Sequence, residues 1–176
     1  MKQCWVISAL SLMLIVSQRA SAQADLYGQF SESKMTSLQS TQYLPGATVG
    51  IMLEGPTLLH HVLISADIQG RFVESSSLKL NGAVVGTRLN FLIKHGLAPY
   101  VAFMGGFARL YSNSPGSNFN GSTTDTEIEA DAGVAKRITR HWDVTVDYSY
   151  ARYSALDRMY SPQTFSIGTI FHFQKR

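Results

Sequence analysis

The chain has almost no cysteine. Cys4 is the only one, and it lies in the first few residues, so a chain that loses its leader has neither a disulfide nor a thiol nucleophile. Position 4 is also too early for a lipoprotein acylation site, which stands at the cleavage point. Long apolar runs are missing too. Beyond residue 22 nothing approaches the roughly 20 residues that a membrane-spanning helix needs, no 3.6-residue periodicity lasts more than a turn or two, and no long repeat or linker divides the chain. These absences leave one domain built largely of strands.

The first residues, MKQCWVISALSLMLIVSQRASAQA, have the parts of a secretory signal peptide. Lys2 is followed by a 12-residue apolar run from Trp5 to Val16 and by the small-residue pattern Ala20-Ser21-Ala22. Cleavage is expected after Ala22, with Ala24 as second choice, giving a leader of residues 1–22 and a domain of residues 23–176. Losing Lys2 and Arg19 takes two of the 15 basic side chains and leaves 13 against 12 acidic ones. A near-neutral domain without a Lys/Arg cluster excludes a nucleic-acid partner.

What the chain does contain is alternation. In WDVTVDYSYARY, Trp142, Val144, Val146, Tyr148 and Tyr150 fall on one parity, and Asp143, Thr145, Asp147 and Ser149 on the other. Successive side chains of a strand point to opposite faces, so this is a strand with one apolar and one polar face. In a soluble protein the apolar face turns inward. In a membrane barrel it turns outward.

Eight runs of this kind are expected, about Asp25–Lys34, Ala47–Glu54, Leu58–Phe72, Leu78–Ile93, Ala98–Tyr111, Thr126–Ile138, Trp142–Tyr153 and Thr164–Phe173. Several reach the roughly 9 to 11 residues of a tilted membrane-crossing strand. The connections sort by end. GPT (55–57), KHGL (94–97) and TRH (139–141) are tight, whereas 36–43, 112–125 and 154–163 are longer and polar, with VESSS (73–77) the short exception. Short periplasmic turns, longer external loops and both chain ends on the periplasmic side are the habit of outer-membrane barrels. The fold class expected is therefore all-β, an eight-stranded antiparallel up-and-down transmembrane barrel.

That choice fixes the faces. The polar parities carry Asp67, Arg71, Arg88, Glu129, Asp131, Arg137, Asp143 and Asp147, which become a charge network inside the barrel. Interior charges survive there only when paired, and an eight-stranded barrel is just wide enough for side chains to fill it. A filled lumen without an open pore follows. The apolar parities carry the aromatics Phe72, Phe91, Trp142, Tyr148, Tyr150, Phe165, Phe171 and Phe173, expected in lipid or at its interfaces. Tyr100 is placed in the girdle at the tight-turn end, Tyr43, Tyr111 and Tyr153 in the one at the loop end, and Arg109 at the external rim, where it can snorkel to headgroups.

With these features the chain resembles the small eight-stranded outer-membrane proteins, the porin-like family that includes the OmpA-type transmembrane domain. The resemblance rests on the export signal, the rhythm of strands and loops, and the closing FSIGTIFHF (165–173), similar to the aromatic-ended terminal strand shown to the barrel insertion machinery. Gln174-Lys175-Arg176 after Phe173 departs from that pattern. No additional peptidoglycan-binding domain is expected after residue 176. The resemblance implies a bacterial outer-membrane location, contact with membrane lipid and lipopolysaccharide, a monomer and no cofactor.

Catalytic and metal chemistry finds little support in the residues. His60 and His61, read as strand neighbours, point to opposite faces and cannot chelate together. His172 and Asp143 with Ser166 or Ser149 suggest a hydrolytic triad, but no GxSxG elbow accompanies them, and a lipid A deacylase or acyltransferase stays a minor alternative. Gly105-Gly106 lacks the following helix of a phosphate loop. A secreted lipocalin-like binder would also have eight strands, with Trp142 to Tyr150 lining its cavity. External recognition, if any, falls to the loops, at Asn118, Phe119, Asn120, Asp157, Arg158 and Tyr160.

Overall fold

The computed structural model describes residues 23–36, 41–58, 61–113, 120–155 and 158–173. The expected leader, residues 1–22, and Gln174 to Arg176 lie outside the described residues. Nine strands follow one another: β1 (Ala24–Thr36), β2 (Thr41–Leu58), β3 (Val62–Glu74), β4 (Leu78–Phe91), β5 (Leu97–Asn113), β6 (Asn120–Arg137), β7 (Trp142–Ala155), the three-residue β8 (Arg158–Tyr160) and β9 (Gln163–His172). Each long strand pairs antiparallel with its neighbours in sequence, β9 pairs with both β7 and β1, and β6 pairs with β7. Eight strands thus close in a ring, and β8 is a short extension folded back on the top of β7.

Closure explains why the alternation is so regular. Every strand has two faces with different solvents, so burial switches at each residue: β1 reads intermediate, then buried and exposed in strict turn through Thr36. The outward parity is apolar. On β5, Leu97, Pro99, Val101, Phe103 and Phe107 face out with Gly105 among them, and Arg109 ends the series. Ten residue steps at about 3.3 Å along a strand tilted by about 40° rise about 25 Å, the height of the apolar band on such barrels. The same face ends at Glu74 above Phe72 on β3, at Arg152 above Tyr150 on β7 and at Gln163 above Phe165 on β9.

Four connections differ from expectation. GPT (55–57) lies within β2, where the register with β3 slips between Glu54 and Thr57. A proline and a glycine in a strand are accommodated at such an irregularity. Instead β2 runs to Leu58 and β3 begins at Val62, and His61 is an exposed turn residue while His60 lies outside the described residues. The polar stretch 112–125 is mostly hairpin, because β5 runs to Asn113 and β6 starts at Asn120. The stretches 36–43 and 154–163 likewise shrink, since β1 and β2 pair as far as Thr36 with Thr41, and β7 with β8. Backbone pairing, indifferent to side-chain polarity, carries these hairpins past the apolar band.

The tight connection after β4 contains a 3-10 turn, Lys94–Gly96. Its last two residues, His95 and Gly96, have positive φ of 68° and 70°, a conformation that glycine adopts freely and histidine uncommonly. A Cβ on Gly96 would also stand 2.9 Å from Cβ of Arg137.

Candidate functional site

The inward parities place a stack of buried side chains inside the ring. At the end where the chain termini meet, His172 on β9 is fully buried between two carboxylates. Its Nδ1 lies 2.9 Å from Oδ1 of Asp25 on β1, and its Nε2 lies 3.0 Å from Oδ2 of Asp143 on β7. Each ring nitrogen thus faces a carboxylate oxygen, one from the first strand and one from the seventh. Arg137 adds a cation, its Nε 3.5 Å from the other oxygen of Asp143.

Mid-height belongs to Arg88. Its guanidinium sits 3.3 Å above the ring centre of Tyr100, its Nη1 is 3.6 Å from Oδ2 of Asp67, and its Nε donates to Oδ1 of Asn90 at 3.1 Å. Stacking of Arg on an aromatic face and pairing with a carboxylate use different parts of the same planar group. Tyr27 on β1 reaches over β2 and donates to Asp67 on β3 at 2.8 Å. The Tyr100 hydroxyl donates to Asp147 at 2.9 Å, and Gln29 donates to the same carboxylate oxygen.

Arg71 holds the next level. It pairs with Glu129, lies 3.5 Å from Glu127 and donates to Ser149 at 3.3 Å, while Gln69 donates to Glu129 at 3.2 Å. Asp131 stands within electrostatic range of Glu129, Arg71 and Asp147, yet among the described residues it forms no ion pair with a base. Above this level hydroxyls meet, Ser31 with Thr48 and Ser166, and Ser33 with Thr164. At the loop end the inner residues form an apolar cluster of Met35, Leu44, Val73, Leu80, Ala108, Leu110 and Tyr153.

The structure brings all eight expected interior charges onto the inner face. Six are at most 9 % exposed, and Asp131 and Arg137 are half-buried. Several inner residues escaped the sequence reading. Glu127 sits on the same parity as Glu129, which was the available signal. Asp25, Tyr27 and His172 were not seen as partners. Tyr100 and Tyr153, expected in the outer girdles, are instead inside, at 4 % and 2 % exposure. Their parity is that of the buried residues, and Tyr100 finds space because its register partner on β6 is Gly133.

On the outer wall, Phe72, Phe91, Trp142, Tyr148, Tyr150, Phe165 and Phe173 are exposed, and Phe171 is half-buried against Trp142 and Phe173 at ring-centre distances of 5.0 and 5.2 Å. Trp142 to Tyr150 therefore line no cavity, contrary to a lipocalin-like arrangement. Arg109 faces outward near the loop end, bonded to Ser122 Oγ at 3.0 Å. Of the expected recognition residues, Asn118, Phe119 and Asp157 lie outside the described residues. Asn120 and Arg158 open β6 and β8. Tyr160 is turned to the apolar cluster, its ring stacked 5.5 Å from that of Tyr153, so packing occupies it.

A hydrolytic triad is not assembled by the suggested residues. Both ring nitrogens of His172 face carboxylates, Ser166 bonds Ser31 and Ser149 bonds Arg71. Among the described residues no group of three or more His, Cys, Asp or Glu side chains is placed to hold a metal ion.

Eight antiparallel strands in a closed ring, apolar outside and charged within, define the class of transmembrane β-barrels. Solved structures agree. The fold is similar to that of Neisserial surface protein A, with 14% identity, 85% of this chain and 97% of that chain covered, and a TM-score of 0.67. It is also similar to Ail, the attachment invasion locus protein of Yersinia pestis (14% identity, 88% and 100% covered, TM-score 0.55), and to a major outer membrane protein from Thermus thermophilus (9% identity, 88% and 100% covered, TM-score 0.51). No protein-family model and no curated protein sequence matches the chain.

Proposed function

We propose that this protein is an integral barrel of the bacterial outer membrane with a structural or surface-interaction role, its lumen filled and not an open pore. The observation that carries this reading is the inversion of polarity. Large apolar side chains such as Phe103, Phe107, Ile128 and Phe165 are more than half exposed on the outer wall, while Asp67, Arg71, Arg88 and Glu129 are almost wholly enclosed. Water would reverse that distribution, and lipid requires it.

The accompanying roles follow from the same reading. Residues 1–22 direct export and are removed. The FSIGTIFHF strand is presented to the barrel insertion machinery, and the extended hairpins β5–β6 and β7–β8 offer the surface for an external partner. The barrel works as a monomer in contact with membrane lipid and lipopolysaccharide. Support for a filled lumen comes from the side chains stacked from His172 up to the Leu44 and Leu80 cluster.

Envelope fractionation tests this reading, with the outer-membrane fraction run on SDS gels unboiled and boiled. A membrane-bound protein whose mobility shifts on boiling supports it. A protein recovered in the soluble fraction, migrating alike in both samples, overturns it.

A further inference from the structure

The outer wall changes character at one place on its loop end. Phe72 on β3 and Phe107 on β5, both more than half exposed, end the apolar band there. Above them, beside the β3–β4 turn, lies a cavity of about 430 Å³ bordered by Glu74, Ser75 to Ser77, Lys79, Asn81 and Tyr111. The register sets its chemistry. Lys79 is directly across from Tyr111, and Asn81 directly across from Arg109. The Arg109 guanidinium lies 4.7 Å from the centre of the Tyr111 ring and is anchored on its far side by Ser122. Two cations thus flank one tyrosine.

The groups around the cavity have unspent capacity. The Asn81 side-chain oxygen is shielded from solvent and accepts no hydrogen bond, so it calls for a donor. Among the described residues Lys79 pairs with Glu74 alone, at 3.3 Å, with both side chains about half exposed or more, an arrangement worth little and easily exchanged. Ser75 and Ser77 donate to Gln42 at 3.3 and 3.2 Å, and Ser75 Oγ accepts from the Leu78 N–H at 3.2 Å, which stiffens the turn and leaves the Ser77 oxygen as a further acceptor. Two cations suit a phosphate, and an acceptor amide with neighbouring hydroxyls suits a sugar.

We infer that this pocket binds the headgroup of a phosphorylated glycolipid of the outer leaflet. The phosphate would lie between Lys79 and Arg109, a sugar hydroxyl would donate to Asn81, and the acyl chains would run down over Phe72 and Phe107. Position selects this occupant over a free sugar phosphate, because the pocket opens on the wall directly above the apolar band. The inference rests on the membrane reading above and deepens it by naming the site.

The test uses the barrel refolded in vesicles of phosphatidylcholine with a few per cent diphosphoryl lipid A. Native mass spectrometry after detergent extraction counts lipid A retained per barrel. Wild-type protein is expected to keep one molecule, the Lys79→Gln/Arg109→Gln variant at least tenfold less, and Lys136→Gln at the opposite rim as much as wild type. Dephosphorylated lipid A is expected to be lost like the double variant. Equal retention by wild type and Lys79→Gln/Arg109→Gln, or equal retention of dephosphorylated lipid A, overturns the site. Each sample is also run unboiled and boiled. A barrel that folds in the vesicles yet keeps no lipid A defeats this inference alone, whereas a chain that never enters the vesicles defeats the membrane reading beneath it.

Discussion

Tyr100 lies so close over Gly133, its register partner on β6, that a methyl group on the glycine would stand 2.5 Å from Cζ of the ring. The same pairing recurs between Tyr27 and Gly50 on β1 and β2. In both cases the missing side chain lets an inward tyrosine lie flat against the neighbouring strand and deliver its hydroxyl to a carboxylate. Gly133→Ala is therefore expected to push Tyr100 off its stack with Arg88 and out of reach of Asp147. Overpacking of this kind costs about 1–3 kcal/mol, read as a lowered urea midpoint of the barrel in lipid vesicles. Tyr100→Phe, which keeps the ring and loses the hydroxyl bond, should cost less. An unchanged midpoint for Gly133→Ala would show that the ring has another place to go.

Arg71 serves two acids at once, and its removal strands both. Arg71→Leu leaves Glu127 and Glu129 buried without their cation, a loss expected at about 3–5 kcal/mol. Adding Glu127→Gln and Glu129→Gln should recover most of it. If the triple variant unfolds as early as the single one, the contribution of Arg71 is packing and not charge.

Asp131 makes the opposite prediction. The inner face carries the carboxylates of Asp25, Asp67, Glu127, Glu129, Asp131, Asp143 and Asp147 against Arg71, Arg88, Arg137 and His172. The bases pair with Asp25, Asp67, Glu127, Glu129 and Asp143, Asp147 accepts from Tyr100 and Gln29, and a buried Asp131 oxygen accepts no hydrogen bond. Asp131→Asn should thus hold or raise the unfolding midpoint. Asp67→Asn, which loses the charge paired with Arg88 and bonded by Tyr27, should lower stability by about 2 kcal/mol. Equal losses in the two variants would contradict this division.

The stacked interior also bears on permeation. Purified barrel added to a planar lipid bilayer is expected to give no discrete conductance steps, because side chains fill an eight-stranded ring. Sustained steps from wild-type protein would show an open path past Arg71 and the Leu44 cluster.

Much of this architecture was legible in the sequence because a barrel in lipid imposes the same two-residue rhythm on every strand. Trp142 to Tyr150 show it at a glance. The misplacements have separate physical causes. Tyr100 and Tyr153 were assigned by the preference of tyrosine for interfaces, although their parity pointed inward. Gly133 was the missing clue, and it becomes one only when the register between β5 and β6 is known. Residues 112–125 read as a loop because Ser, Asn, Gly and Thr dominate there. Past the apolar band no solvent contrast patterns a strand, and hairpin pairing alone holds it. His172 was grouped in the sequence with Asp143 alone, in a triad that found little support, and only closure of the ring brings Asp25 to its other nitrogen.

The central claim is that the apolar face meets lipid. Trp142 tests it most directly, since Trp5 is the only other tryptophan and belongs to the expected leader. The measurement is Trp142 fluorescence of the leader-free barrel refolded in vesicles whose acyl chains carry bromine, with iodide as the aqueous quencher. The account predicts strong quenching by the brominated chains, stronger still when the tryptophan is moved to mid-band in Trp142→Phe/Val146→Trp, and little quenching by iodide. Full access to iodide with no effect of bromine at either position would place this face in water and contradict the account.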